Sequence, residues 1–203
     1  MTPLAPPSKA VELNGMRINY LDWGAAGAPP IVCVHGYTSS AQAFNGPARH
    51  FQDRFRLVAP DVRGHGESAW SPAGAYQYQD QVGDLAALVD ALALGRFTLI
   101  GTSMGGIIAM AYAGAHPDRL QRLVLNDIGP DIETGSQRIT ATVGSRPEEF
   151  ATLDEAMESA ARSRPSPPDG SSRISMSSPW VCFGSDLTGA GSGRWTRPTS
   201  SSA

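Results

Sequence analysis

Gly101-Thr102-Ser103-Met104-Gly105 stands between the apolar run Phe97-Thr98-Leu99-Ile100 and the stretch Gly106-Ile107-Ile108-Ala109-Met110-Ala111-Tyr112-Ala113. The run before it predicts a strand and the stretch behind it a helix, so the serine sits at a sharp strand-to-helix turn. Such a turn forces the serine into a strained backbone conformation. Strand and helix then approach too closely for side chains at the flanking positions, and both are glycine. The same geometry holds a serine hydroxyl out at the carboxyl end of a sheet, within reach of a base. The competing reading is a glycine-rich turn with an incidental serine, and the strand-turn-helix context argues against it. Two phosphate-binding readings fail: no lysine follows the glycines as a P-loop needs, and their spacing does not match a dinucleotide fingerprint.

Outward from this turn the chain alternates strands and helices. Ile31-Val32-Cys33-Val34 and Arg56-Leu57-Val58-Ala59-Pro60 are continuous apolar runs, as expected of strands covered on both faces. Ala41 to Phe51 can form a helix between them. From about Tyr78 to Leu94, Val82, Leu85, Ala86, Leu88, Val89 and Leu92 recur at helical spacing. Arg122-Leu123-Val124-Leu125-Asn126 is a last strand. Upstream, Val11-Glu12-Leu13 and Met16-Arg17-Ile18-Asn19-Tyr20 flank Asn14-Gly15, a strong hairpin signal. A hairpin followed by alternating strands and helices predicts an α/β fold with a mostly parallel sheet.

Composition narrows the class further. A chain of 203 residues suggests one domain, or one domain and a tail, and 41% hydrophobic residues suffice for a core. No apolar run is long enough to span a bilayer. Met1-Thr2-Pro3-Leu4-Ala5-Pro6-Pro7 lacks the basic and apolar regions of a secretory signal. Cys33 and Cys182 have neither metal nor redox spacing, and Cys33, inside a strand-like run, reads as a buried inert thiol. A reducing cytoplasm fits, and a formal charge of −3 without a basic patch argues against nucleic acid as partner. Lys9 is the only lysine among 16 basic residues, a bias that suggests a GC-rich coding sequence.

The pattern changes from Asp127 onward. Pro147-Glu148-Glu149-Phe150 begins a helical stretch, Thr152 and Glu155 are spaced as a capping box, and Phe150, Leu153 and Met157 could share an apolar face. After about Ala161 periodicity is lost, and Arg164-Pro165-Ser166-Pro167-Pro168-Asp169-Gly170-Ser171-Ser172 opens a tail of Ser, Pro, Gly and Arg that reads as disordered.

Two further motifs accompany the serine turn. One parallel strand ends in His35-Gly36-Tyr37-Thr38-Ser39-Ser40 and the next in Asp61-Val62-Arg63-Gly64-His65-Gly66-Glu67-Ser68. With Gly101 to Gly105 these resemble the three sequence marks of the α/β-hydrolase family, in order, over about Lys9 to Ala161. The resemblance implies an α/β-hydrolase-type sheet, mostly parallel, with an N-terminal hairpin, helices on both faces and a partial helical cap, in truncated form. It divides the chain into a flexible N-terminus (1–8), the core (9–127), a partial cap (128–161) and a disordered or out-of-frame tail (162–203).

The resemblance also implies roles. Ser103 matches the nucleophile, and the backbone N–H groups of Met104 and Tyr37 match the two donors of an oxyanion hole, which must point at charge as it develops. His35 and His65 shape loops near the site, His50 ends the first helix, and His116 stands before Pro117 at a helix stop on the far side of the sheet. The family order is Ser, then Asp or Glu, then His. Only His116 follows Ser103, so the catalytic histidine is missing. Asp127 has two readings: the triad acid at the end of the strand after the nucleophile helix, or a polar strand-end residue bonding to loop amides. Asp61 resembles a loop-organising residue.

The implied function is a serine hydrolase acting on a small-molecule substrate with an ester, lactone or related acyl bond, crippled by the missing histidine. The alternative is a non-catalytic fragment or binding module on the same scaffold. Lactonase, esterase, C–C hydrolase and cofactor-free haloperoxidase chemistries occur on it, and a serine nucleophile argues against haloalkane dehalogenases. No metal or organic cofactor, membrane or nucleic acid is implied, and oligomeric state is left open. The abrupt compositional change predicts that the reading frame is lost near Arg162. It also predicts that the strand Arg122 to Asn126 is an exposed edge, with low stability and aggregation as consequences.

Overall fold

The computed structural model describes Pro6, residues 8–128 and the backbone of Val181–Phe183. The chain divides into two compact units, residues 1–127 with 180–203 and residues 128–179, and all the elements named lie in the first.

Strands β1 (Lys9–Leu13) and β2 (Met16–Trp23) form an antiparallel hairpin. Its turn has Asn14 at φ 51° and Gly15 at φ 77°, the left-handed pair that a tight two-residue hairpin requires. Then follow β3 (Pro30–Val34), a single 3-10 turn (Ala41–Phe44), α1 (Asn45–Phe51), β4 (Arg56–Pro60), α2 (Tyr78–Ala91), β5 (Phe97–Thr102), α3 (Met104–Ala115) and β6 (Leu120–Asn126). A short strand β7 is formed by Val181–Phe183. The sheet order is β1-β2-β4-β3-β5-β6-β7, with β4, β3, β5 and β6 parallel and the outer pairs antiparallel.

Side-chain alternation sends each central strand to two cores. Cys33 on β3 packs with Trp23, Leu57, Ala59 and the 41–48 segment, where Ala41, Phe44 and Ala48 are buried, so α1 covers this face. Val34 lines the opposite face with Leu85 and Leu88 of α2 and Ile108 of α3. On β5, Phe97 and Leu99 are fully buried, and Phe97 meets the Tyr112 ring of α3 at 5.8 Å. Helices thus cover both faces, as an α/β pattern demands.

Helix boundaries follow local chemistry. The N–H of Gln77 donates to the Asp80 carboxylate (2.9 Å), a capping-box contact that starts α2. Pro117 ends the run of α3, because its ring cannot continue a helix.

The structure corrects expectations about the carboxyl-terminal part and gives contacts for Ser8 near the N-terminus. Residues 181–183, inside the segment expected to lack structure, pair antiparallel with β6 through Leu123↔Phe183, Val124↔Cys182 and Leu125↔Val181. The strand at 120–126 is therefore not an open edge over that stretch. Ser8, assigned to the flexible terminus, has its hydroxyl against Asn19 and donates to Glu67 Oε2 (2.8 Å). The predicted cap at 128–161, its helix from Pro147 and the rest of the 162–203 tail lie outside the described residues, apart from Ile128.

Chain path decides where a site can form. From β3 the chain steps to β4 on one side and then returns to β5 on the other, so the loops after β3 and β5 diverge. Such a switch point opens a crevice at the carboxyl ends of the strands.

Candidate active site

Only Ser103 separates β5 from α3, and it has φ 51° and ψ −116°. This conformation is sparsely populated for any residue with a Cβ. Neighbouring backbone over-determines it. The Ser103 N–H donates to the Asn126 carbonyl (2.9 Å), and the Ser103 carbonyl accepts from Gly106 N–H (2.8 Å) and Ile107 N–H (3.3 Å). A Cβ on Gly101 would lie 2.3 Å from the Gly105 carbonyl oxygen, and one on Gly105 would lie 2.2 Å from that of Val34. Both glycines are thus required by close approach, as the sequence predicted.

The loop after β3 runs beside the serine: a Cβ on Gly36 would sit 3.5 Å from Ser103 Cβ. Its geometry is set by His35, which is fully buried. The Val62 N–H donates to His35 Nε2 (3.0 Å), which makes Nε2 the acceptor, so Nδ1 carries the proton and donates to the Gly36 carbonyl (2.8 Å). Burial pushes the His35 pKa below its usual value, in keeping with a neutral ring. The Gly36 carbonyl also accepts from Ser39 N–H (3.2 Å). Because the peptide is trans and planar, clamping that carbonyl fixes the Tyr37 N–H in the opposite direction.

Met104 is the first residue of α3, and helix geometry leaves its N–H without an intrahelical partner. Tyr37 itself is 49% exposed, while Met104 is buried. Asp127 follows Asn126 directly at the carboxyl end of β6, exposed and left-handed at φ 57°. Asn126 is the residue whose carbonyl holds Ser103, so the structure brings Asp127 to the same end of the sheet as the serine. Ser103, Tyr37 and Met104 likewise converge there.

The histidines are accounted for one by one, and all four lie among the described residues. Both ring nitrogens of His35 are engaged. His65 has Nε2 2.7 Å from the Tyr37 carbonyl and Nδ1 3.1 Å from the Arg63 carbonyl. His50 is exposed in the last turn of α1, with Nδ1 3.0 Å from the Gly46 carbonyl. His116 caps α3 at its far end and stacks on Tyr112 at 4.7 Å. None of these contacts is with Ser103.

Asp61 organises the loop after β4 in detail that the sequence did not disclose. Its buried carboxylate accepts from Ala41 N–H (2.7 Å), Asn19 Nδ2 (2.8 Å) and Glu67 N–H (3.0 Å). Ser68 Oγ donates to the Asp61 carbonyl (2.7 Å) and accepts from Asn19 N–H (2.9 Å). Arg63 pairs with Asp84 of α2 (2.6 Å) and donates to the carbonyls of Ala75 and Asp80. Sequence reasoning missed Asn19 and Asp84 altogether, since each acts across more than twenty residues. Of their partners, Asp61 resembled a loop-organising residue, while Arg63 and Ser68 were visible only as letters of a motif.

Other groups offer less. Burial pushes the Cys33 thiol up to about 12, so it holds no thiolate near neutrality. Among the described residues no cluster of His, Cys, Asp and Glu could hold a metal ion, and no helix is long and apolar enough to cross a membrane. A hollow of about 550 Å³ lies between the hairpin turn and the start of α2, and Ser103 is not on its wall.

Comparison with known proteins bears on the fold. A family model described as alpha/beta hydrolase fold matches residues 29–166, ending just past Arg162. A 3-hydroxybutyrate-oligomer hydrolase of Cupriavidus necator is 35% identical over 144 residues, covering 70% of this chain and 49% of that protein. An sn-1-specific diacylglycerol lipase of Mus musculus is 39% identical over 132 residues, covering 64% of this chain and 42% of the lipase. Among solved structures, an alpha/beta hydrolase from Novosphingobium aromaticivorans superposes with TM-score 0.63 at 33% identity, covering 68% of this chain and 50% of that one. The chain spans about half the length of the curated relatives it matches first.

Proposed function

The chain belongs to the alpha/beta hydrolase family, and from that premise we propose that Ser103 is the nucleophile of an acyl-transfer site for an ester, lactone or related acyl bond. The observation that carries this reading is the strained, doubly held backbone of Ser103 at the sheet's switch point. Its support from relatives is that two of them are named for hydrolysing hydroxybutyrate oligomers and diacylglycerol.

In this reading the Ser103 oxygen attacks the substrate carbonyl carbon and its proton passes to a base. The C=O electron pair moves onto oxygen, and the N–H groups of Tyr37 and Met104 receive that charge. Collapse of the intermediate breaks the bond to the leaving group, which takes up a proton and departs, leaving an acyl-serine. Asp127 is the acid of this reading, standing ready to orient a histidine; in the competing reading it is a polar strand end.

A serine hydroxyl is a weak nucleophile unless a base takes its proton. No histidine of this sequence hydrogen-bonds to Ser103, and both ring nitrogens of His35 and His65 are engaged elsewhere. The chain by itself is therefore expected to acylate slowly and to turn over little or not at all. That same observation favours a second reading, a non-catalytic scaffold with the same pocket. The whole protein's substrate is a small acyl compound, met in a reducing compartment such as the cytoplasm.

Incubation with a fluorophosphonate and with a p-nitrophenyl ester separates these. Turnover lost in Ser103→Ala identifies a serine hydrolase. Labelling of Ser103 without turnover identifies a single-turnover acyl acceptor. Neither labelling nor turnover removes the nucleophile reading and leaves the scaffold.

A further inference from the structure

His65 stands between two loops and bonds to the backbone of each. Its Nε2 lies 2.7 Å from the Tyr37 carbonyl, on the loop after β3, and its Nδ1 lies 3.1 Å from the Arg63 carbonyl, on the loop after β4. Carbonyl oxygens only accept, and a neutral imidazole has one N–H, so a neutral ring can make one of these bonds and leaves the other nitrogen lone pair facing a carbonyl. The imidazolium donates to both.

The groups around the ring allow this. The His35 ring, neutral by its own bonding, is 5.2 Å away, and Tyr37 presents an edge at 5.7 Å. The Arg63 guanidinium turns away onto Asp84, the Asp61 carboxylate is spent on Asn19, Ala41 and Glu67, and the Glu67 carboxylate accepts from Ser8.

What the Tyr37 carbonyl does matters for chemistry. Gly36 to Ser39 form a turn closed by the Ser39 N–H to the Gly36 carbonyl. His35 grips the first peptide of that turn, the one carrying the Tyr37 N–H, and His65 grips the second. With both peptides held, the Tyr37 N–H cannot swing away from its direction without breaking a bond.

We propose that His65 is a positioning residue for the oxyanion loop, its ring standing between the Tyr37 and Arg63 carbonyls so that the Tyr37 N–H stays aimed at the developing charge. This rests on the reading of Tyr37 as an oxyanion donor. It extends that reading to a side chain that takes no part in the reaction.

The test compares wild type with His65→Ala and His65→Gln by amide exchange over residues 36–41, corrected for intrinsic rates, beside the rate at which a fluorophosphonate labels Ser103. A single hydrogen bond of this kind predicts exchange about tenfold faster in His65→Ala, labelling about tenfold slower, and partial recovery in His65→Gln, whose amide restores one donor. Exchange in β5 and α3 should not change, which separates loop release from unfolding.

Equal exchange in wild type and His65→Ala overturns the proposal. If the variants do not fold, nitrogen NMR of the wild-type ring decides: a proton on Nε2 supports the bond to the Tyr37 carbonyl, and an Nε2 without one overturns it. Wild-type protection at 36–41 with no labelling of Ser103 keeps the bridge and removes the nucleophile, so the two readings fail separately.

Discussion

Replacing Ser103 by glycine is expected to stabilise the protein while ending its chemistry. At φ 51° and ψ −116° the serine backbone occupies a region that a Cβ disfavours. Such strain costs about 1–3 kcal/mol. Glycine removes it, at the cost of about 0.5–1 kcal/mol of extra freedom in the unfolded chain. The bonds that hold the residue, to Asn126, Gly106 and Ile107, are all main-chain and survive the change. The balance is a gain of up to about 2.5 kcal/mol, a rise in melting temperature of up to roughly 10 °C at about 2–4 °C per kcal/mol. Ser103→Ala is the control, because it deletes the hydroxyl and keeps the Cβ, hence the strain. Urea unfolding of the three proteins, followed by far-ultraviolet circular dichroism, gives the comparison. Glycine should rank above alanine, and alanine should sit close to wild type, with neither variant labelled by a fluorophosphonate. A glycine variant no more stable than the alanine variant refutes the idea that the turn stores strain.

Three other perturbations follow from contacts around the site. Gly105→Ala places a Cβ 2.2 Å from the Val34 carbonyl oxygen, which ordinary contact would hold beyond 3.4 Å, so α3 and β3 must part; a loss of about 3 kcal/mol is expected in the same urea titration. Asp61→Asn turns an amide NH₂ toward one of the three N–H donors that the carboxylate accepts. The variant should lose about 2 kcal/mol, and exchange should quicken at the Ala41 and Glu67 amides. Acid acts through His35, whose folded pKa lies below the usual histidine value of about 6.5 because burial disfavours its charge. The unfolded state then binds the proton more readily, so stability is fully present above about 6.5 and is lost as pH falls from there through the folded value. Melting temperatures of wild type and His35→Asn across that window test the sign: the wild type should lose more on acidification.

The serine turn was legible because its constraints are local. A strand, two glycines and a helix within about ten residues admit one sharp turn, and the steric reason for Gly101 and Gly105 could be stated before any coordinates existed. The hairpin at Asn14-Gly15 was legible for the same reason, since a two-residue turn selects its own residues. Boundaries were less so: the helix expected from Ala41 to Phe51 opens as a 3-10 turn, and the α2 helix stops at Ala91, short of Leu94. The reading of the tail as unstructured missed Val181–Phe183, because three residues carry no periodicity and a strand is completed by the neighbour that pairs with it.

Sequence by itself determined the order of strands and helices from β1 to β6, the serine at the turn and the family. Each follows from residue type and spacing along the chain. Tertiary structure decided the rest. It brought Gly36, at the start of the loop after β3, beside Ser103, turned the Gly36 peptide so that Tyr37 N–H has a fixed direction, and committed the nitrogens of His35 and His65 to backbone carbonyls and a backbone N–H. It also showed Asp61 gathering donors from β2, the 3-10 turn and its own loop. These contacts join residues up to about forty positions apart. Hydrogen bonds depend on distance and direction in space, and only the folded sheet brings their partners within reach.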